Sequence, residues 1–174
     1  AGSLDDLRVL VGSFTNPQLI TQIEVAAGDS EIALIFRNME PLTQSDHELL
    51  RNFAREKKFR IYLQPKDPDS VYLFYPDDGA EYLTYSLPEF GLNYYFKPTD
   101  FTHVNVEVNQ QMVCQAISLL DINESDKILD LFCGLGNFSL AIAKNASYVY
   151  GVEVSNEMVN RADMNMHANN INNA

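Results

Sequence analysis

The chain of 174 residues is 46% apolar and 21% charged, with 8 Gly and 7 Pro, which excludes a disordered, collagen-like or low-complexity polymer. Its net charge is −12, and neither residues 1–90 (8 basic, 15 acidic) nor residues 91–174 (4 basic, 9 acidic) have the basic balance of a free-standing nucleic-acid binder. No apolar run reaches the ~18 residues of a membrane span, the acidic start AGSLDDLRVL is no secretory signal, and Cys114 and Cys133 are too few for a disulfide framework or a four-thiolate metal site, so a reduced cytoplasmic setting is expected.

Residues 19–37 predict a β-hairpin: LITQIEV and EIALIFR are β-branched and apolar, and AAGDS between them supplies the turn. Pro41 leads into a helix over about 43–57, with Ser45 and Glu48 at capping-box spacing and Leu49, Leu50, Phe53 and Ala54 as its apolar stripe. Short strands RIYLQ, VYLFY, EYLTYSL and LNYYF come next, separated by Pro65, Pro68, Pro76 and the Asp77-Asp78-Gly79 turn. The expectation is a central α+β domain over 1–97, dominated by antiparallel strands.

After Pro98 the pattern changes. Residues 106–120 suit a helix with Val108, Met112, Ala116, Leu119 and Leu120 at helical spacing. KILDLF reads as a buried strand that ends at CGLGN. FSLAIAKNA reads as a helix, YVYGVEV as a second buried strand, and SNEMVNRADMNMHANN as a further helix. This order opens a doubly wound, Rossmann-like α/β sheet over 98–174. Two parallel strands cannot close a core, so the sequence is expected to be a truncated fragment, its uncovered strand KILDLF inviting self-association.

The informative segment is Asp130-Leu131-Phe132-Cys133-Gly134-Leu135-Gly136-Asn137-Phe138, at the carboxyl end of a strand where open α/β sheets bind ligands. Gly134 and Gly136 allow a tight turn and close approach of a ligand. Glu153, at the end of the next strand, can accept hydrogen bonds from ribose hydroxyls. A dinucleotide fingerprint would need Gly where Ser139 stands. S-adenosyl-L-methionine needs no pyrophosphate cradle; Asp130 offers negative charge and Asn137 an amide. Two bland readings stand beside this one: an ordinary α/β turn with a surface acid, and core packing for Phe132.

DLFCGLGNFSLAIA followed by YVYGVEVSNEMV resembles the first two cofactor motifs of the uracil-5 RNA methyltransferases. FKPTDFTHVNVEVNQQMV resembles that family's segment ahead of the cofactor strand. QIEVAAGDSEIALIFRNMEPL and IYLQPKDPDSVYLF resemble the central domain of members acting on uridine 1939 of bacterial 23S rRNA. The resemblance implies that Phe132, Gly134, Gly136, Asn137 and Glu153 contact S-adenosyl-L-methionine. His103 falls where the family usually has Gln, in Phe101-Thr102-His103-Val104-Asn105, and is carried over on that ground. It implies no catalytic residue here, because the nucleophilic cysteine and the base belong to motifs beyond Ala174; the fragment itself is expected to be inactive. Cys133 is not that nucleophile, and Cys114 is a packed helix residue. The family's iron–sulfur cluster and RNA-binding barrel are features of a full-length parent; no cluster is expected in this chain.

Other functional readings compete with this one. Arg51, Arg55, Lys57, Lys58 and Arg60 could touch rRNA phosphates, or form a solvated face at a helix end. Tyr82, Tyr85, Tyr94 and Tyr95 could stack on bases, or pack a sheet face. The alternatives are a non-catalytic RNA-binding module, or a methyltransferase for another class of substrate.

Overall fold

The computed structural model describes residues 2–174. They form two compact units, Ala1–Glu81 and Tyr82–Ala174. The division falls sixteen residues earlier than the 97/98 boundary read from the sequence, because the hairpin of residues 83–96 packs with the C-terminal elements, the helix of residues 156–168 among them.

The first unit has helices α1 (Gly2–Gly12) and α2 (Gln44–Lys57), and strands β1 (Ile20–Ala27), β2 (Ile32–Asn38), β3 (Phe59–Gln64) and β4 (Tyr72–Tyr75). The sheet order is β1-β2-β3-β4. β1 and β2 form the expected antiparallel hairpin, but β2 and β3 run parallel, from Ile32↔Phe59 to Arg37↔Gln64. Antiparallel pairing dominates the sheet as expected, with β1–β2 and β3–β4 antiparallel, and β2–β3 is the parallel exception. A 14-residue helix between two strands is long enough for a crossover, and a crossover returns the chain in the same direction. Leu34 and Phe36 on β2 and Ile61 and Leu63 on β3 form the core with Leu50 and Ala54 of α2 and Leu7, Leu10 and Phe14 from the α1 region, to which the sequence reading assigned no helix.

α2 starts one residue before Ser45, so the expected Ser45/Glu48 box is replaced by another. Thr43 Oγ1 accepts the Asp46 N–H at 3.2 Å, and Asp46 Oδ2 accepts the Thr43 N–H at 3.1 Å. Asp46 Oδ1 also accepts the Thr15 N–H at 2.8 Å, pinning the segment after α1 to the start of α2. Burial of Asp46 acts to raise its carboxyl pKa, but the hydrogen bonds from Thr15 and Thr43 outweigh it and the net shift is downward.

The second unit has β5 (Leu83–Leu87), β6 (Leu92–Phe96), α3 (Val106–Leu120), β7 (Lys127–Leu131), α4 (Ser139–Ala143), β8 (Tyr148–Val152) and α5 (Asn156–Ala168). β5 and β6 pair as an antiparallel hairpin, and the Tyr85 and Tyr94 rings stack across it at 4.8 Å. β7 and β8 pair in parallel, from Lys127↔Tyr148 to Leu131↔Val152. The helix–strand alternation of the sequence reading is present, but α3 is turned otherwise than expected. Its buried residues are Asn109 and Val113, whereas Val108, Leu119 and Leu120 are exposed. The inward polar residue has a dedicated partner, described below. On β7 and β8, Leu129, Leu131, Tyr150 and Val152 leave one apolar face open.

Candidate functional site

The turn after β7 hooks onto the end of β8: the N–H groups of Phe132 and Cys133 both donate to the Val152 carbonyl, at 2.7 and 3.2 Å. Phe132 then takes a left-handed φ of 62°, a conformation that costs an L-residue about 1–2 kcal/mol. The residue is 79% exposed, which sets aside the core-packing reading of Phe132. Gly134 and Gly136 have φ of 57° and 92°. A Cβ at Gly134 would meet nothing within 4 Å, so this side of the turn is open, whereas one at Gly136 would press on Leu140 Cγ at 3.2 Å.

Glu153 reaches across to this turn. Its Oε2 accepts the Gly134 N–H at 3.1 Å, while its Oε1 accepts the N–H groups of Val154 (2.7 Å) and Ser155 (3.0 Å) at the entry to α5. These bonds, the one from Ser155 foremost, hold its carboxyl below the ordinary glutamate pKa. A carboxylate has about four lone-pair sites, so three backbone donors leave it acceptor capacity.

Under the turn, Asp130 accepts the Ser139 hydroxyl. Burial, and then the negative charges of Asp130 and Glu153, push the Cys133 thiol up, which favours its protonated form. Gly151, which the sequence reading passed over, is required by this thiol: a Cβ there would lie 2.9 Å from Cys133 Sγ. A cavity of about 90 Å³ lined by Cys133, Gly136, Gly151, Ala162 and Met166 lies between the turn and α5. It is too small for a nucleoside cofactor, since ligand pockets run to about 300 Å³ and more.

Asn137 is engaged by its own protein. Its Nδ2 donates to Asn109 Oδ1 at 2.9 Å, and its Oδ1 accepts Asn109 Nδ2 at 3.1 Å and the Tyr85 hydroxyl at 2.9 Å. The Tyr94 hydroxyl donates to the Asn137 carbonyl at 3.1 Å. The turn is thus tied to α3 and to the β5–β6 hairpin, and one amide N–H of Asn137 remains. Burial pushes both tyrosine pKa values well up, so the two hydroxyls remain donors. No spacing rule in the sequence links Asn109 to Asn137, and the paired amides emerge only in three dimensions.

Asn165 on α5 and Asn169 at its C-cap, to which the sequence reading gave no role, bind the rim of β6. Asn165 is fully buried; its Oδ1 accepts the Tyr95 N–H at 2.7 Å, and its Nδ2 donates to the carbonyls of Tyr95 and Leu135, both at 3.2 Å. Asn169 repeats the pattern on Asn93, at 2.9 and 2.7 Å. Four residues of helix rise about 6 Å and two residues of strand about 6.7 Å, so the two side chains match the strand's repeat. Nearby, Arg161 Nε donates to Asp100 at 2.9 Å, with both side chains buried, and its guanidinium lies 4.3 Å from the Tyr82 ring centroid.

The structure thus brings Phe132, Gly134, Gly136, Asn137 and Glu153 together around one strand end. His103 is exposed, with its ring against Phe101, and makes no hydrogen bond among the described residues. In the first unit three of the five expected cations are paired with acids, while Arg55 bonds Asn52 and, with Lys58 and Arg60, lines one shallow pocket. Arg51 pairs with Asp77, Lys57 with Asp6 and Glu56, and the buried Arg60 with Glu31. Tyr85 and Tyr94 pack the hairpin, as in the sheet-face reading. Among the described residues no helix is long and apolar enough to cross a membrane.

The chain is 52% identical over 167 residues to the 23S rRNA (uracil(1939)-C(5))-methyltransferase RlmD of Legionella pneumophila, covering 96% of this chain and 38% of that protein. It is 48% identical over 172 residues to the same-named protein of Hahella chejuensis, covering 99% and 39%. The chain therefore spans less than two-fifths of the curated relatives it matches. Among solved structures it resembles the Pyrococcus abyssi tRNA (uracil-54, C5)-methyltransferase in complex with S-adenosyl-L-homocysteine, with a TM-score of 0.62 and 20% identity over 85% of this chain and 36% of that one. It also resembles the M. jannaschii tRNA m1G37 methyltransferase, with a TM-score of 0.58 and 13% identity over 96% of this chain and 47% of that one. Both likenesses speak to the fold alone. The family model described as tRNA (Uracil-5-)-methyltransferase matches residues 20–174, nearly the whole chain, and the chain belongs to that family.

Proposed function

We propose that this chain is part of an S-adenosyl-L-methionine-dependent methyltransferase that modifies C5 of a uracil in 23S rRNA, at uridine 1939, in the cytoplasm. In this reading the second unit is the first part of a Rossmann-like methyltransferase domain and contributes one side of the cofactor site. The observation that carries it is the open turn at Gly134, held by the Glu153 carboxylate beside an exposed aromatic, Phe132, at a left-handed backbone position. A turn without a Cβ, an acceptor with lone pairs to spare and a free aromatic face suit an adenosine moiety and its ribose.

When bound, S-adenosyl-L-methionine supplies an electrophilic methyl group. The residues of this chain bind and orient. Phe132 offers a face for the adenine, Glu153 accepts from ribose hydroxyls, and Gly134 and Gly136 let the ligand approach the backbone. Asn137 keeps one N–H for contact. His103 contributes from the segment ahead of α3, where relatives in the family pattern have Gln. The chain has two cysteines, Cys114 on α3 and Cys133 in the turn, so its own residues do not fit a four-thiolate iron–sulfur cluster. The raised pKa of Cys133 also disfavours it as a nucleophile toward uracil.

The reading is tested by calorimetric titration with S-adenosyl-L-homocysteine. Saturable binding is expected, and no response at any concentration would overturn it. A radiolabel assay on unmodified 23S rRNA should give no turnover by this chain alone. The RNA-binding-module reading is disfavoured because three of the five cations it would use, Arg51, Lys57 and Arg60, are paired with acids. The open face of β7 and β8 supports self-association of the isolated chain.

A further inference from the structure

We propose that Asn165 is a positioning residue for the turn that holds the cofactor, a role that rests on the reading above. Leu135 lies between the two glycines with left-handed φ, so the peptide units on either side of it set the path of the turn. Its carbonyl is gripped by Asn165 Nδ2 at 3.2 Å, from a side chain with no exposed surface. The same amide closes a two-bond ring on the backbone of Tyr95. One buried side chain therefore references the turn to both α5 and β6.

A hairpin-fastening role is shared by Asn169, the more exposed residue that caps the C-terminal end of α5. Asn169 makes the same two-bond ring on Asn93 but has no bond to the turn. The pair is a built-in control: both asparagines fasten the hairpin, and one of them also fastens the turn. An amide is suited to both tasks because it offers two N–H donors and an acceptor in one plane. A hydroxyl or a carboxylate at 165 would lose at least one of the three bonds.

Asn165→Ala and Asn169→Ala are compared in the whole chain by calorimetric titration with S-adenosyl-L-homocysteine, alongside their melting temperatures. Asn165→Ala should weaken binding by about tenfold, the scale of one buried hydrogen bond, and Asn169→Ala by less than about twofold, each titrated well below the variant's own melting temperature so that both are fully folded. A second measurement needs no variant. In hydrogen exchange of the unaltered chain, added S-adenosyl-L-homocysteine should slow the Tyr95 amide, bonded to Asn165, more than the Asn93 amide, bonded to Asn169. Equal weakening by the two variants, or equal slowing of the two amides should Asn165→Ala fail to fold, overturns the positioning role alone. Absence of binding by the unaltered chain overturns the cofactor reading and this role together.

Discussion

Glu153 and Gly134 lie nineteen positions apart in the chain and 3.1 Å apart in space, carboxylate oxygen to backbone nitrogen. The bond joins the end of β8 to the open turn after β7, and through Val154 and Ser155 the same carboxylate steadies the entry to α5. Glu153→Ala should therefore weaken S-adenosyl-L-homocysteine binding by about tenfold or more, with Glu153→Gln intermediate because one acceptor survives. The depressed folded pKa fixes the pH dependence. The contribution of Glu153 is present above the ordinary glutamate value of 4.5 and is lost as pH falls through the lower folded value. Titrations over that range should show the loss in the unaltered chain and not in Glu153→Gln.

The three glycines of the site should respond differently to alanine. At Gly134 there is space and the cost is the left-handed backbone, about 1–2 kcal/mol. Gly136→Ala adds a contact with Leu140 and should cost more. Gly151→Ala meets the Cys133 thiol instead, so Cys133→Ala should restore much of the stability that Gly151→Ala loses. Urea unfolding of the single and double variants measures each.

The reciprocal amide pair of Asn109 and Asn137 should show strong coupling. Asn137→Ala strands the Asn109 amide and the Tyr85 hydroxyl in a half-buried place, at about 1–3 kcal/mol for each group left unsatisfied. Adding Asn109→Ala should then cost little more. A double-mutant cycle on unfolding free energies with a coupling below about 0.5 kcal/mol would contradict the pairing.

In the first unit, Asp46 is the acid-sensitive element. Its folded pKa lies below the ordinary value of 3.8, so its stabilisation is present above that value and is lost as pH falls through the folded pKa. Asp46→Ala should lower stability at neutral pH by about 1–2 kcal/mol, the range for a lost helix cap, and the difference should vanish in acid. Thermal melts at the two pH values test this.

Light scattering tests the open face of β7 and β8. The chain should associate with rising concentration, and Leu131→Lys, which places a charge on that face, should return it toward a monomer.

Elements with strong local signals were legible in the sequence. The hairpin of β1 and β2, α2, and the strand–turn–helix around Gly134 all arise from turn residues and periodicity. The proximity of Glu153 to the turn was legible too, because successive parallel strands end side by side. The parallel pairing of β2 with β3 was missed because short apolar runs carry no direction. The orientation of α3 was missed because periodicity rewards apolar residues, and here the inward position belongs to Asn109. The roles of Asn137, Asn165 and Asn169 depend on partners 28 to 76 positions away, which no local pattern encodes.

The side chains of Asn165 and Asn169 occupy the backbone groups of Tyr95 and Asn93 as a neighbouring strand would. A helix thereby finishes a ladder that would otherwise invite a foreign extended segment to zip on. The protection comes from neutral amides instead of the lysines, prolines or bulges that usually guard such rims, and so it is insensitive to ionic strength. Removing both amides should expose a sticky rail, and the double variant should form thioflavin-positive aggregates that the native chain resists.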